Sequence, residues 1–240
     1  MNNVSDQENM AEETEVVDQP EVLQPAPTPA FKMLRTLGLV ATMSGLLVVM
    51  AFRITEPMIE KNKQELIERA MFKVIPGAVA RRDFIVQDGN INAFEAGSEG
   101  TVLYAGYDEN NKLKGLAMET AAPGYQDVIR ILYGYDPYCQ CIRGIEVLKM
   151  AETPGIGDKI IKDENFVANF NALDASLNAE GNALANPIVA VKAGSKSEEW
   201  QIDSISGATI SSKAVAKMLN QSSQQMAPII QKHLSQLEVM

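Results

Sequence analysis

The chain has 240 residues, enough for one ordinary domain with tails, and a formal net charge of −10 that is unevenly spread. Residues 1–30 hold seven acids, no Lys or Arg and four prolines, so beyond them 24 acids face 21 bases and the remainder is close to neutral. No basic stripe appears, which argues against nucleic acid as a partner, and two cysteines are too few for a disulfide framework.

Residues 1–30 lack the periodic apolar positions that offset ordering entropy, so they read as a disordered acidic tail. Between Arg35 and Arg53 lie 17 uncharged residues, TLGLVATMSGLLVVMAF, extended on the N-terminal side by Phe31, Met33 and Leu34. A buried soluble helix is rarely apolar on every face, and a cleaved signal peptide has a shorter apolar core followed by a small-x-small site. The segment therefore reads as one retained transmembrane helix over residues 31–53. Lys32 and Arg35 precede it and Arg53, Lys61, Lys63 and Arg69 follow, so charge counting alone leans toward a cytoplasmic C-terminal part. Pro57 suits the first turn of a second, stalk helix over residues 54–76, with Ile59, Leu66, Ile67, Ala70, Met71 and Val74 as its apolar positions and Pro76-Gly77 as its stop.

Strand-like runs then cover Asp83–Val86, Ile91–Phe94, Thr101–Tyr107, Lys114–Glu119, Asp127–Tyr133 and Ile142–Lys149, divided by turn signals. Cys139 and Cys141 fall in this region; in a strand they would face opposite ways, so two half-buried thiols in a hairpin is the plain reading and a CxC redox or metal pair the alternative. A helix is expected over Asp163–Leu173, a strand over Pro187–Lys192, and a last helix from Ser211 that Pro228 interrupts. Strands in meanders with helices at either end predict an α+β domain over residues 77–226, built on an antiparallel sheet, with a C-terminal helix over 227–240.

Several chemistries are missing. The sequence has no GxxxxGK loop, no GxGxxG, no HExxH and no GxSxG, and its one histidine, His233, reads as an exposed helix residue rather than a base. No cluster of His or Cys points to a metal. Three stretches remain. DSISGATISSKA, from Asp203 to Ala214, crowds small and hydroxyl residues before a helix; a turn with Ser211 or Ser212 as cap is the plain account. The sharper account is a phosphate held beside Thr209 by free amides at the helix start, with Gly207 allowing close approach. AETPGIGDKI, beginning at Ala151, makes a sharp loop after a strand, and AAPGYQDVI, beginning at Ala121, is another Pro-Gly turn carrying an aromatic, Tyr125.

Taken together these stretches resemble a known family: the G subunit of the Rnf (Rsx) ion-translocating electron-transport complex, a relative of the C subunit of the sodium-pumping NADH:quinone reductase. The resemblance covers roughly residues 33–226 and rests on the single anchor, PGY at Pro123–Tyr125, GIEVLKMAETPGIGDKI beginning at Gly144, and SGAT at Ser206–Thr209 with Asp203 ahead of it. It implies an FMN-binding domain carrying one FMN on Thr209 through a phosphoester bond. It also implies that a separate flavin transferase installs the group after recognising Asp203, Ser206, Gly207, Ala208 and Thr209. Glu152, Thr153, Gly155 and Ser211 would lie at the flavin, with Tyr125 nearby. The resemblance further implies an electron-relaying part of a membrane complex that couples ferredoxin/NAD electron transfer to Na⁺ or H⁺ movement. Its flavin domain would face the extracytoplasmic side, against the charge count. The same role in a quinone-reductase-type complex, or a cofactor-free anchored interaction module with SGAT as a plain cap, are the alternatives.

Overall fold

The structure, a computed structural model, describes residues 29–95 and 97–239; the acidic tail expected before them lies outside the described residues. Two units are distinct, one ending at Glu56 and the other running from Pro57.

The first helix, α1 (Ala30–Val74), is apolar on all sides in its N-terminal part, where Leu37, Val40, Met43, Leu47 and Met50 are all exposed. Among the described residues it is the one helix long and apolar enough to cross a membrane. Pro57 lies inside α1 and does not start a new helix as the sequence implied. Its fixed φ is compatible with a helix, and its missing N–H leaves one bond of the ladder unmade.

In the second unit seven strands form one antiparallel sheet: β1 (Ala80–Gln87), β2 (Asn90–Ala93), β3 (Thr101–Tyr107), β4 (Leu113–Pro123), β5 (Val128–Asp136), β6 (Cys141–Lys149) and β7 (Leu173–Asp174), in the order β2-β1-β3-β4-β5-β6-β7. Side chains alternate across it. Leu103, Ala105, Leu116, Met118, Ile131 and Tyr133 enter the main core, whereas Tyr104, Ala117 and Leu132 enter a smaller one beneath the end of α1. That smaller core is filled by Ile67, Ala70, Met71, Val74 and Ile75. A row of glycines lets the chain there lie close to the sheet. A Cβ on Gly134 would fall 2.0 Å from the Val74 carbonyl oxygen, and one on Gly106 or Gly115 would press on Ile75.

The main core is closed by α4 (Thr209–Lys232), whose Val215, Met218, Leu219, Met226 and Ile230 are buried against the sheet. Pro228 does not interrupt this helix, which continues to Lys232 because Met226, Ala227 and Ile230 are packed on either side of it. His233 sits at its C-terminal end and is half-buried, with Nε2 3.2 Å from the Gly89 carbonyl oxygen, rather than exposed on a helix face. Of the helix expected over 163–173 only α3 (Glu164–Ala168) forms, preceded by a separate short helix, α2 (Lys159–Lys162). The Asp163 carboxylate accepts from Phe166 N–H at 3.0 Å, capping α3, and Leu173 belongs to β7. Two further strands, β8 (Val189–Val191) and β9 (Gln201–Asp203), pair in parallel and lead into α4. The fold is thus the α+β, antiparallel-sheet domain with one N-terminal apolar helix that the sequence implied.

The cysteines differ from expectation. Cys139 and Cys141 are joined in a disulfide. Alternation does not apply because Cys139 lies in the turn after Asp136, where Gln140 takes φ +53° and swings the chain back before β6.

Candidate functional site: a cleft at the start of the last long helix

Three segments far apart in sequence meet at one end of the main core. The turn between β4 and β5 carries Gly124 and Tyr125 and is closed by Gly124 N–H donating to the Asp127 carbonyl at 2.9 Å. The loop after β6 winds tightly because Ile156 and Gly157 N–H both donate to the Thr153 carbonyl, at 3.1 and 3.0 Å. Gly155 takes φ +78° there, and its N–H donates to Asp158 at 2.6 Å. Lys162 donates to the other Asp158 oxygen at 2.6 Å; these two bonds, the lysine first, hold the Asp158 carboxyl below its ordinary range.

The third segment runs from β9 to α4. Asp203 accepts from Gly194 and Ser195 N–H at 2.9 and 3.2 Å, so its carboxylate is committed to the loop before β9. Gly207, at φ +86°, turns the chain, and Ala208 is the N-cap with no side-chain bond of its own. The two serines expected to cap this helix point inward. Ser212, fully buried, accepts from Ile205 N–H at 3.1 Å and donates to the Ala208 carbonyl at 2.9 Å, while Ser211 donates to Glu152 at 2.6 Å. The first-turn amides of Thr209, Ile210 and Ser211 therefore keep no side-chain cap, which leaves an anion-favouring helix start. Thr209 is exposed at that start, and its hydroxyl has no protein partner among the described residues.

These segments enclose a cleft of about 430 Å³ lined by Tyr125, Glu152, Thr153, Ile156, Gly157, Gly207, Ala208, Thr209, Ile210 and Ser211. Seven of the residues singled out from sequence thus share one cavity, whose volume lies within the ~300–1,000 Å³ usual for small-molecule sites. Gly155 belongs to the same loop without lining the cleft, and Ser206 and Asp203 face a neighbouring polar groove with Asn169 and Lys196. Sequence reasoning missed Ile156 and Ile210, which together with Tyr125 give the rim large exposed apolar surfaces, 52, 53 and 67% accessible. Their only local signal is apolar character beside a glycine.

Glu152 lines the cleft with its carboxylate already committed to the protein. It is 6% exposed, with Oε1 accepting from Tyr125 and Gln126 N–H at 2.9 and 3.2 Å and Oε2 accepting from Ser211. Thr153 is half-buried and accepts from the Gln126 side chain at 3.0 Å.

Residues 124–224 match the FMN-binding domain family, a span that includes every element of the cleft. Over 192 residues the chain is 28% identical to the G subunit of the ion-translocating oxidoreductase complex of Methanosarcina acetivorans, covering 79% of this chain and 90% of that one. The corresponding protein of Pasteurella multocida is 35% identical over 115 residues, 48% of this chain and 52% of the relative. The chain is thus similar to G subunits of that complex over most of its length, and its residues 124–224 match the FMN-binding domain. Two crystal structures share the fold: NqrC of Shewanella oneidensis and the C subunit of the Na⁺-translocating NADH-quinone reductase of Parabacteroides distasonis. The first has a TM-score of 0.57 at 15% identity, covering 75% of this chain and all of that one. The second has a TM-score of 0.56 at 19% identity, covering 71% and 95%. The cleft suits an FMN: uncapped amides and an exposed hydroxyl at a helix start match a phosphate, and Tyr125, Ile156 and Ile210 offer apolar surface to a ring.

Proposed function

We propose that this chain is a membrane-anchored flavoprotein that relays electrons through one FMN esterified to Thr209, within a complex that couples ferredoxin/NAD electron transfer to Na⁺ or H⁺ movement. The observation that carries the reading is the exposed Thr209 hydroxyl, without a partner among the described residues, at an uncapped helix start lining the 430 Å³ cleft. Attachment by a flavin transferase has a simple balance: Thr209 Oγ1 loses its proton and bonds to the FMN phosphorus of FAD, and the phosphoanhydride bond breaks to release AMP. When bound, the flavin supplies the one- and two-electron chemistry. The chain's own residues hold and shield it. The amides of Thr209, Ile210 and Ser211 offset phosphate charge, Gly207 allows the turn, and Tyr125, Ile156 and Ile210 exclude water from one side of the ring. A covalent tether prevents loss of the group from a compartment without free FMN and fixes its distance to the next carrier.

We place residues 31–53 across the membrane and the flavin domain on the extracytoplasmic side, with the other proteins of the complex as neighbours. The cysteine pair supports that side, because disulfides persist in oxidising compartments. The same role in a quinone-reductase-type complex is the second reading, favoured by the fold likeness to the reductase's C subunit; the relatives named as G subunits favour the first. The test is a denaturing gel under ultraviolet light, with intact mass, on chain co-expressed with the transferase. A fluorescent band heavier by one FMN less a water is expected, lost in Thr209→Val and retained in the exposed β3 control Thr101→Val. A dark wild-type band of unmodified mass overturns the reading and leaves an anchored interaction module.

A further inference from the structure

We infer that the side chains of Glu152 and Ser211 form a positioning pair that fixes the cleft walls, and so the orientation of a flavin held at Thr209, without themselves touching the phosphate. The inference rests on the attachment reading above.

One buried carboxylate joins all three segments of the site. Its Oε1 takes two amides of the Tyr125 turn, its Oε2 takes the hydroxyl of Ser211 two residues beyond Thr209, and its backbone belongs to the loop between them. Burying a carboxylate is costly unless it is fully hydrogen-bonded, so such placement is retained where it fixes geometry. The surrounding chain is shaped around it. A Cβ on Gly124 would lie 2.4 Å from Oε1, and a Cβ on Gly157 would lie 2.6 Å from Oε2 and 2.7 Å from the Glu152 Cβ. Neither glycine has positive φ, so backbone conformation does not demand them; the room they leave for the Glu152 side chain does. Ser211 is 2% exposed and turned away from the capping position its helix start would otherwise offer. A carboxylate is also a poor phosphate contact, since like charges repel. Tyr125, two-thirds exposed, has few other restraints, and two amides of its turn end on this one side chain.

The experiment uses the full-length, flavin-loaded chain in detergent. Glu152→Gln keeps the shape: its amide oxygen accepts from Tyr125 and Gln126, and its amide nitrogen donates to Ser211. It should therefore retain the fluorescence anisotropy and visible dichroism of the attached flavin. Glu152→Ala and Ser211→Ala should keep the covalent mass but lose dichroism and drop in anisotropy toward a freely rotating flavin. Amide exchange at Tyr125 and Gln126 should rise roughly tenfold or more in Glu152→Ala. Wild-type anisotropy and dichroism in both alanine variants, with only earlier melting, would show a purely structural role and overturn the inference. Should Glu152→Ala fail to fold, Ser211→Ala, which removes one hydroxyl, decides alone. A wild-type chain that carries no flavin refutes the attachment reading instead, a result distinct from a loaded chain whose flavin is indifferent to the pair.

Discussion

The glycines of the cleft divide into two kinds, and the difference has a measurable consequence. Gly207 is required by its backbone: at φ +86° with nothing within 4 Å of a Cβ, an alanine costs strain alone, about 1–2 kcal/mol, and an asparagine less. Gly124 is required by its neighbours. A Cβ there meets Glu152 Oε1 at 2.4 Å and the fully buried Ile129 at 2.8 Å, neither of which has room to retreat. Gly124→Ala should destabilise the second unit by about 1–3 kcal/mol, the usual cost of overpacking, and lower its melting midpoint by several degrees. Unlike Gly207→Ala, it should also release the Tyr125 and Gln126 amides to exchange. Melting and exchange like wild type would mean that the carboxylate yields easily. The sequence made both residues legible as turn glycines. It could not separate them, because the carboxylate that crowds Gly124 most closely lies 28 residues further along the chain.

Helix α4 does more than present Thr209; it also holds down the long connection before β8. The Asn220 side-chain oxygen accepts from Ile188 N–H at 2.8 Å, and one turn later the Gln224 oxygen accepts from Leu184 N–H at 3.3 Å. Ile188 is buried, so Asn220→Ala strands its amide and should cost about 1–3 kcal/mol, while Asn220→Asp, which keeps an acceptor, should cost clearly less. Equal melting of the two variants would show that water replaces the bond. Elements that depend on local pattern were readable: β3 falls on Thr101–Tyr107, the strand-like run that turn signals bound, and the strand set gives the antiparallel sheet. Elements that depend on distant packing were not. Pro228 is carried through α4 by buried neighbours, Ser211 leaves its capping role for Glu152, and the 163–173 helix yields to the pairing of Leu173 with Ile142. The cleft's parts were legible as motifs, but the carboxylate that binds them together was visible only in three dimensions.

For the molecule as a whole, the proposed placement of the second unit on the extracytoplasmic side has the charge count against it and the cysteine pair for it. Four basic residues after the apolar segment against two before it favour a cytoplasmic domain, yet large domains cross regardless of such counts. The Cys139–Cys141 bond favours the outside. It closes a loop of so few residues that chain entropy credits it with only about 1–2 kcal/mol, so it is a marker of compartment more than a brace. Two results follow together. Cys139→Ser/Cys141→Ser should fold, melt within a few degrees of wild type and still accept flavin. In native membranes alkylated before any reductant, peptide mapping should find the two sulfurs joined, and protease added outside spheroplasts should reach the domain. Replacing Arg53, Lys61 and Lys63 should leave that access unchanged, because on this reading those charges do not set the orientation. Both thiols found alkylated, with the domain protected until the membrane is opened, would instead put the second unit in the reducing cytoplasm, where the proposed extracytoplasmic attachment at Thr209 has no place.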